Sequence, residues 1–184
     1  MNHQISVSES MAMKGNILIR EWPLGTVERF NAMIAEGRKE EVKAEIASMK
    51  PVFTQRNLIM QAANLGKDLI IQRLCGVNTY SCNILWGDIG TGTTAPAITD
   101  TALTTPSART ALSLATDVSS NQAQLQFFFT DSALSNVTFS EFGTFVDGSS
   151  SLSSGQMFNH ALFSPYYTKS TGTDITVEVD LTIN

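Results

Sequence analysis

The sequence predicts an α+β protein, with an extended N-terminal arm and two helices followed by a C-terminal antiparallel β-sandwich. Composition is the first sign. Residues 1 to 75 carry ten Lys or Arg and eight Asp or Glu, whereas residues 76 to 184 carry only Arg109 and Lys169 against nine acids. The second sign is residue type: Ala, Met, Glu, Lys and Arg dominate residues 27 to 75, while Thr, Ser, Gly and Phe dominate the remainder, as in strands joined by polar turns. The third is hydrophobic period, which changes from helical spacing to strict alternation near Gly76. Three regions follow: an arm over 1 to 25, a helical region over 26 to 75 and a β-sandwich domain over 76 to 184.

Residues 1 to 25 hold Gly15, Pro23 and Gly25 among short apolar stretches with no sustained period, which predicts an extended arm. Thr26 is an N-cap candidate, and Val27, Phe30 and Ile34 follow helical spacing until Gly37 weakens or ends the run; Val42, Ile46 and Met49 continue it. The like-charge pairs Glu36/Glu40 and Glu41/Glu45 slightly weaken that helix in isolation. Pro51 stops it. A second helix is expected from Thr54, with Leu58, Ala62, Leu65, Leu69 and Ile70 on one stripe up to Leu74 and Gly76 as C-cap.

Beyond Gly76, Ile175, Val177, Val179, Leu181 and Ile183 alternate with polar residues, the pattern of a half-buried strand. Gln124 to Thr130 and Val137 to Val146 read as strands, and Asn83 to Trp86, Ala108 to Leu114 and Gln156 to Phe163 are further candidates. Turn-rich segments separate them. Six strands at this spacing predict a sandwich.

Several function classes are disfavoured. Net charge is −5, against a nucleic-acid binder that works by counterion release. No apolar run reaches the ~20 residues of a membrane span, and Met1 to Ser10 lacks a signal-peptide layout, so the expected compartment is cytosol-like. Cys75 and Cys82, with only His3 and His160 as imidazole partners, predict neither zinc nor disulfide. The stretch from Gly87 to Ala95 resembles a phosphate loop only superficially, because Pro96, Thr99 and Pro106 preclude the helix such a loop must open. No Gly-x-Ser-x-Gly elbow presents a serine, and His160 reads as a satisfied structural histidine. Glu141, Asp147, Glu178 and Asp180 are the acids that could meet as a glycosidase pair, but spaced acids more often form a solvated face. Asn136-Val137-Thr138 reads as a turn entering a strand. No catalytic, metal or cofactor-binding residue is assigned, and the expectation is a non-enzyme.

Three segments in order resemble a family of tailed-bacteriophage structural proteins of the tail, baseplate or fibre-associated kind. The first is Trp86 to Arg109, with its glycine-threonine stretch, an acidic-Thr-x-Leu step at Asp100-Thr101-Ala102-Leu103 and the later Arg109. The second is Phe139-Ser140-Glu141-Phe142-Gly143-Thr144-Phe145, and the third runs from Met157 through His160 and Pro165 to the terminal strand. The likeness covers about Asn57 to Asn184 and departs at Phe142, where a small or aliphatic residue is expected.

The resemblance implies a virion structural subunit in the tail, baseplate or fibre-attachment apparatus, assembled in the host bacterial cytoplasm. Its partners would be other virion proteins and copies of itself, with no nucleic acid, membrane or cofactor. Alternatives are a receptor- or glycan-binding module at a tail tip, whose binding loop would carry Tyr166 and Tyr167, and a capsid decoration or neck protein. A virion hydrolase would need Glu141 or Asp147 as acid or base. Within the resembling segments, Gly90 and Gly92 would permit a tight loop and Arg109 would anchor it through backbone carbonyls, as structural residues.

Overall fold

The alternation at the C-terminus organises the whole molecule. The terminal strand β8 (Thr173–Ile183) turns Ile175, Val177, Val179 and Leu181 into the main core. Both of its edges are paired antiparallel: one by β1 (Met13–Pro23), from Met13↔Ile183 to Pro23↔Thr173, and the other by β5 (Gln122–Phe129). The computed structural model describes residues 12–134 and 138–184. Beyond β5 come β4 (Pro106–Ser119), β3 (Ile84–Gly90), β6 (Thr138–Val146), β7 (Gln156–Thr168) and β2 (Phe53–Ile59). Strand β2 then pairs back onto β1, closing an eight-stranded antiparallel barrel in the order β1-β2-β7-β6-β3-β4-β5-β8. Closure removes the two free edges an open sheet would have, although β2 meets β7 only at Leu58↔His160 and Ile59↔Asn159.

This corrects the expected α+β sandwich. The strands anticipated over 83 to 184 are present as β3 to β8, but they do not fold into two stacked sheets. Strands from the first 60 residues complete their barrel. The supposed arm contributes β1, with residues 1–11 of it outside the described part of the chain. Its period is hard to see because its second half is covered on both faces: Ile17 and Ile19 point into the barrel, while Arg20 and Trp22 are buried on the outside. The supposed second helix is two elements. Phe53–Ile59 is strand, and only Lys67–Leu74 is helical (α3). Pairing with β1 overrides local helix preference over the first of these. Gly66 separates them, at φ 46° and with room for a Cβ blocked by the Met60 carbonyl oxygen at 2.2 Å. Val137, expected in the third strand, and the Asn136-Val137 part of the turn motif also lie outside the described residues.

Phenylalanines fill the barrel, with Phe127, Phe129, Phe139, Phe142 and Phe163 all fully or almost fully buried beside Ile17, Ile19 and Ile89. The departure at Phe142 is accommodated by Gly87. A Cβ there would stand 2.8 Å from the Phe127 ring and 2.9 Å from the Phe142 ring, and the two rings pack at 5.8 Å between centroids.

Two structures cover the barrel's outer wall. A helical hairpin, α1 (Thr26–Ala35) and α2 (Lys39–Ser48), breaks at Gly37 with φ 84°. It buries Val27, Phe30, Met33, Val42 and Ile46 against Trp22, Leu114 and Phe128. Elsewhere on the wall, residues 91–105 cross as an irregular strap, whose Leu103 joins Met60, Leu65, Phe145 and Met157 in a separate apolar cluster.

Candidate functional site

Strands β6 and β7 pair in register Glu141↔Leu162 and Gly143↔His160, and the strap lies over them. The Glu141 side chain is fully buried, and its carboxylate is the strap's receptor. Oε1 accepts from the backbone N–H of Gly92 (2.9 Å) and Thr105 (2.7 Å), and Oε2 accepts from the N–H of Thr104 (2.9 Å). His160 Nε2 stands 3.2 Å from the same Oε2, and His160 Nδ1 stands 2.9 Å from Asp100 Oδ2. Asp100 also accepts from Ala97 N–H within the strap at 2.9 Å. Burial alone would push the Glu141 carboxyl up, but the hydrogen bonds from His160, Thr105, Thr104 and Gly92 outweigh it and hold the group below the usual glutamate range.

Each ring nitrogen of His160 faces a carboxylate oxygen. An imidazolium donates to both, whereas either neutral tautomer leaves one lone pair facing an acceptor. Both ring nitrogens and both carboxylates are thus engaged within the clamp. Among the described residues its hydrogen-bond partners are backbone N–H groups and these three side chains, and no serine or threonine hydroxyl or cysteine thiol hydrogen-bonds to Glu141, His160 or Asp100.

Gly90 and Gly92 sit under this clamp for reasons of space rather than conformation. A Cβ on Gly90 would lie 2.4 Å from the Thr105 carbonyl oxygen, and one on Gly92 would lie 2.4 Å from Glu141 Oε1. Neither has a positive φ. Arg109 serves a neighbouring turn. It faces Asp88 across the β3–β4 register, donates to Asp88 Oδ1 at 2.7 Å and to the Ser154 carbonyl at 2.5 Å, and lies between the rings of Trp86 and Phe145. The carbonyl it holds belongs to the serine-rich turn 147–155, not to the glycine-threonine stretch. Asp88 Oδ2 accepts from Ser153 N–H at 2.8 Å in the same turn. Burial raises the Asp88 carboxyl and lowers the Arg109 guanidinium.

Tyr166 and Tyr167 do not share a loop. Tyr167 is buried against Phe53 and Phe139 and donates its hydroxyl to Glu21 at 2.9 Å; burial first, then Glu21, pushes its phenol up. Tyr166 points outward, 53% exposed, beside Pro165, where the β6–β7 register shifts between Phe139↔Tyr167 and Glu141↔Leu162. The four acids weighed as a hydrolytic pair are separately engaged. Glu141 binds the strap, Asp147 accepts from Ser81, Glu178 pairs with Arg20, and Asp180 accepts from Gln124. Asp88 escaped sequence reading because the stretch from Gly87 reads as a loop, whereas β3 continues to Gly90 and sets Asp88 opposite Arg109.

No group of three or more His, Cys, Asp or Glu side chains among the described residues is arranged to hold a metal ion. Comparison with family models, with curated proteins and with solved structures found no match for this chain.

Proposed function

We propose that this chain is a structural subunit of a tailed-phage virion, in the tail, baseplate or fibre-attachment apparatus, and that it acts by protein–protein assembly without catalysis. One observation carries the reading beyond the resemblance itself. The three resembling segments, distant in sequence, meet at one carboxylate: Glu141 of the second holds Gly92, Thr104 and Thr105 of the first and contacts His160 of the third. Residues that the resemblance picks out are thus the ones a rigid wall needs. A closed barrel whose loops are pinned suits a repeated building block, and identical blocks assemble by rotational symmetry.

The capsid-decoration or neck position is a variant of the same assembly role. The tail-tip glycan reading required Tyr166 and Tyr167 in one binding loop, and burial of Tyr167 removes that support.

The mass of the full-length protein in solution, by sedimentation over a wide concentration range, tests the proposal. A discrete ring-sized oligomer, visible as a closed particle by electron microscopy, is expected. A monomer at every concentration, together with turnover of bacterial envelope polysaccharide, would overturn it.

A further inference from the structure

The barrel wall parts between β3 and β4. Their pairing stops at Trp86↔Ala111, while β4 continues along β5 to Ser119↔Gln122 and β3 stays with β6 to Ile84↔Val146. The parting lies at the end of the barrel that α3 covers, and α3 is too short to fill it. Its eight residues send Leu69 into the core and lay Ile70, partly buried, against it, but leave Ile71 and Leu74 exposed. A cavity of about 430 Å³ remains beside the helix.

The walls of this cavity belong to the inner face of the barrel. Leu112 and Ala115 of β4 stand opposite Phe127 and Leu125 of β5, whose side chains fill the core, and Ala123 lies two residues before Leu125 on the same face. The floor is the core itself, since Leu125, Phe158 and Leu181 are members of the buried cluster. Ile70, Cys82 and Ile84 pack against that cluster while remaining partly exposed. Among the described residues, no charged side chain and no histidine lines the cavity. Burial pushes the Cys82 thiol up, as suits a thiol that faces apolar walls.

We propose that this mouth takes up a free aliphatic molecule, whose hydrocarbon chain enters the barrel end and whose neutral polar head stays in water at the rim. The volume lies within the range of small-molecule sites, and barrel mouths are a recurrent place for them. Water against such walls lacks hydrogen-bond partners, so a chain that displaces it removes apolar surface from water and gains contacts with the core. A sugar or a nucleotide would leave its hydroxyls or phosphates unpaired here, and an ionic head would meet no counter-charge in the lining. Branched aliphatic side chains outnumber the one ring, Phe158, which suits a flexible chain better than a flat aromatic. This inference is independent of the assembly role.

The two cysteines make the test, because Cys82 lines the cavity whereas Cys75, just past α3, is exposed and does not. The full-length protein is alkylated with iodoacetamide at mildly alkaline pH, alone or with butan-1-ol, hexan-1-ol or octan-1-ol, and each cysteine is followed by peptide mass spectrometry. Octan-1-ol should slow Cys82 saturably and leave Cys75 unchanged. The half-protecting concentration should fall about fourfold for each added methylene. Ala123→Phe, which puts a ring into the space, should abolish the protection, and Ala123→Leu, a milder filling, should weaken it; thermal melting shows which variant is folded. No protection by octan-1-ol, equal protection of both cysteines, indifference to chain length, or full protection in a folded Ala123 variant overturns the proposal. Protection by phosphatidylcholine vesicles but not by the free alcohol also overturns it, making the occupant a membrane. Shielding of Cys82 that rises with protein concentration and ignores octan-1-ol does so too, making the occupant a second copy of the chain.

Discussion

The helical hairpin and the strap cover the same barrel by different physics. The hairpin of α1 and α2 satisfies most of its own backbone and takes only its ends from the barrel, where Asp174 accepts from Val27 N–H at 3.0 Å and Arg20 Nε donates to the Met49 carbonyl at 2.7 Å. Apolar side chains supply the rest, with Phe30 fully buried and edge-on to Trp22 at 5.2 Å and Val42 and Ile46 equally buried. Below them the polar groups are already paired within the wall, Arg20 with Glu178 and Trp22 Nε1 donating to Thr176 at 3.0 Å. The strap has no repeating hydrogen bonds of its own. Its backbone N–H groups need an acceptor, and the barrel supplies one in Glu141. An irregular segment can be as firmly attached as a helix if the scaffold carries the missing acceptors.

The contrast can be broken at either side. Phe30→Ala should cost the most, about 3–5 kcal/mol, because a fully buried ring leaves a cavity between hairpin and barrel. Chemical denaturation measures it, and a loss under about 1 kcal/mol would mean that the hairpin is not held by this packing. Glu141→Gln should cost about 3 kcal/mol, since an amide turns a donor against the strap's N–H groups and leaves the His160 ring with Asp100 as its one carboxylate. Hydrogen exchange should locate the effect: the amides of Gly92, Thr104 and Thr105 become fast while those of β8 stay slow. Uniform acceleration would show that the strap and barrel unfold together.

The acid side of the stability profile sharpens the same point. Because the folded Glu141 carboxyl lies below its ordinary value, its contribution is fully present above the unfolded value of about 4.3 and is lost as pH falls through the lower folded value. The stability gap between wild type and Glu141→Gln should therefore close on acidification. A gap that persists unchanged into strong acid contradicts the depressed carboxyl. The smallest effect should come from the hairpin's surface. Arg29 and Glu45 pair at 2.5 Å but are largely solvated, so Arg29→Ala should change stability by less than about 1 kcal/mol and by less still in high salt. A larger loss would show that this exposed pair clamps α1 to α2.

How much of the molecule could be read in advance depended on whether one face of an element meets water. The strands β3 to β8 were visible because polar turns separate them, and β8 most clearly because hydrophobic residues alternate with polar ones. Gly37 was visible as a break because a left-handed turn favours glycine. In β1 the alternation was obscured: the outer face mixes Lys14, Asn16 and Arg20 with the covered or half-covered Leu18 and Trp22, so its polar side is interrupted by apolar residues. For β2, Leu58 and Leu65 supplied apolar positions at helical spacing, yet both serve the outer cluster around Met60 and Phe145 from separate elements.

The candidate site followed the same rule. Gly90, Gly92 and Arg109 stood out as residues, but their work did not. The two glycines make room for Glu141 and the strap backbone rather than bending a turn, and Arg109 reaches Ser154 and Asp88. Tyr166 and Tyr167 were paired as neighbours in sequence, and strand alternation sent them to opposite sides of the wall.

By itself the sequence determined where strands could form after Gly76 and that Gly37 interrupts the helical run that starts at Thr26. Tertiary structure alone decided that the sheet closes, that β1 and β2 are the strands that close it, and that one buried carboxylate joins the three segments. The reason is range. Turn chemistry and periodicity are properties of a few adjacent residues, whereas the contacts between Met13 and Ile183, or between Gly92 and Glu141, join residues far apart in the chain and exist only once the barrel has formed.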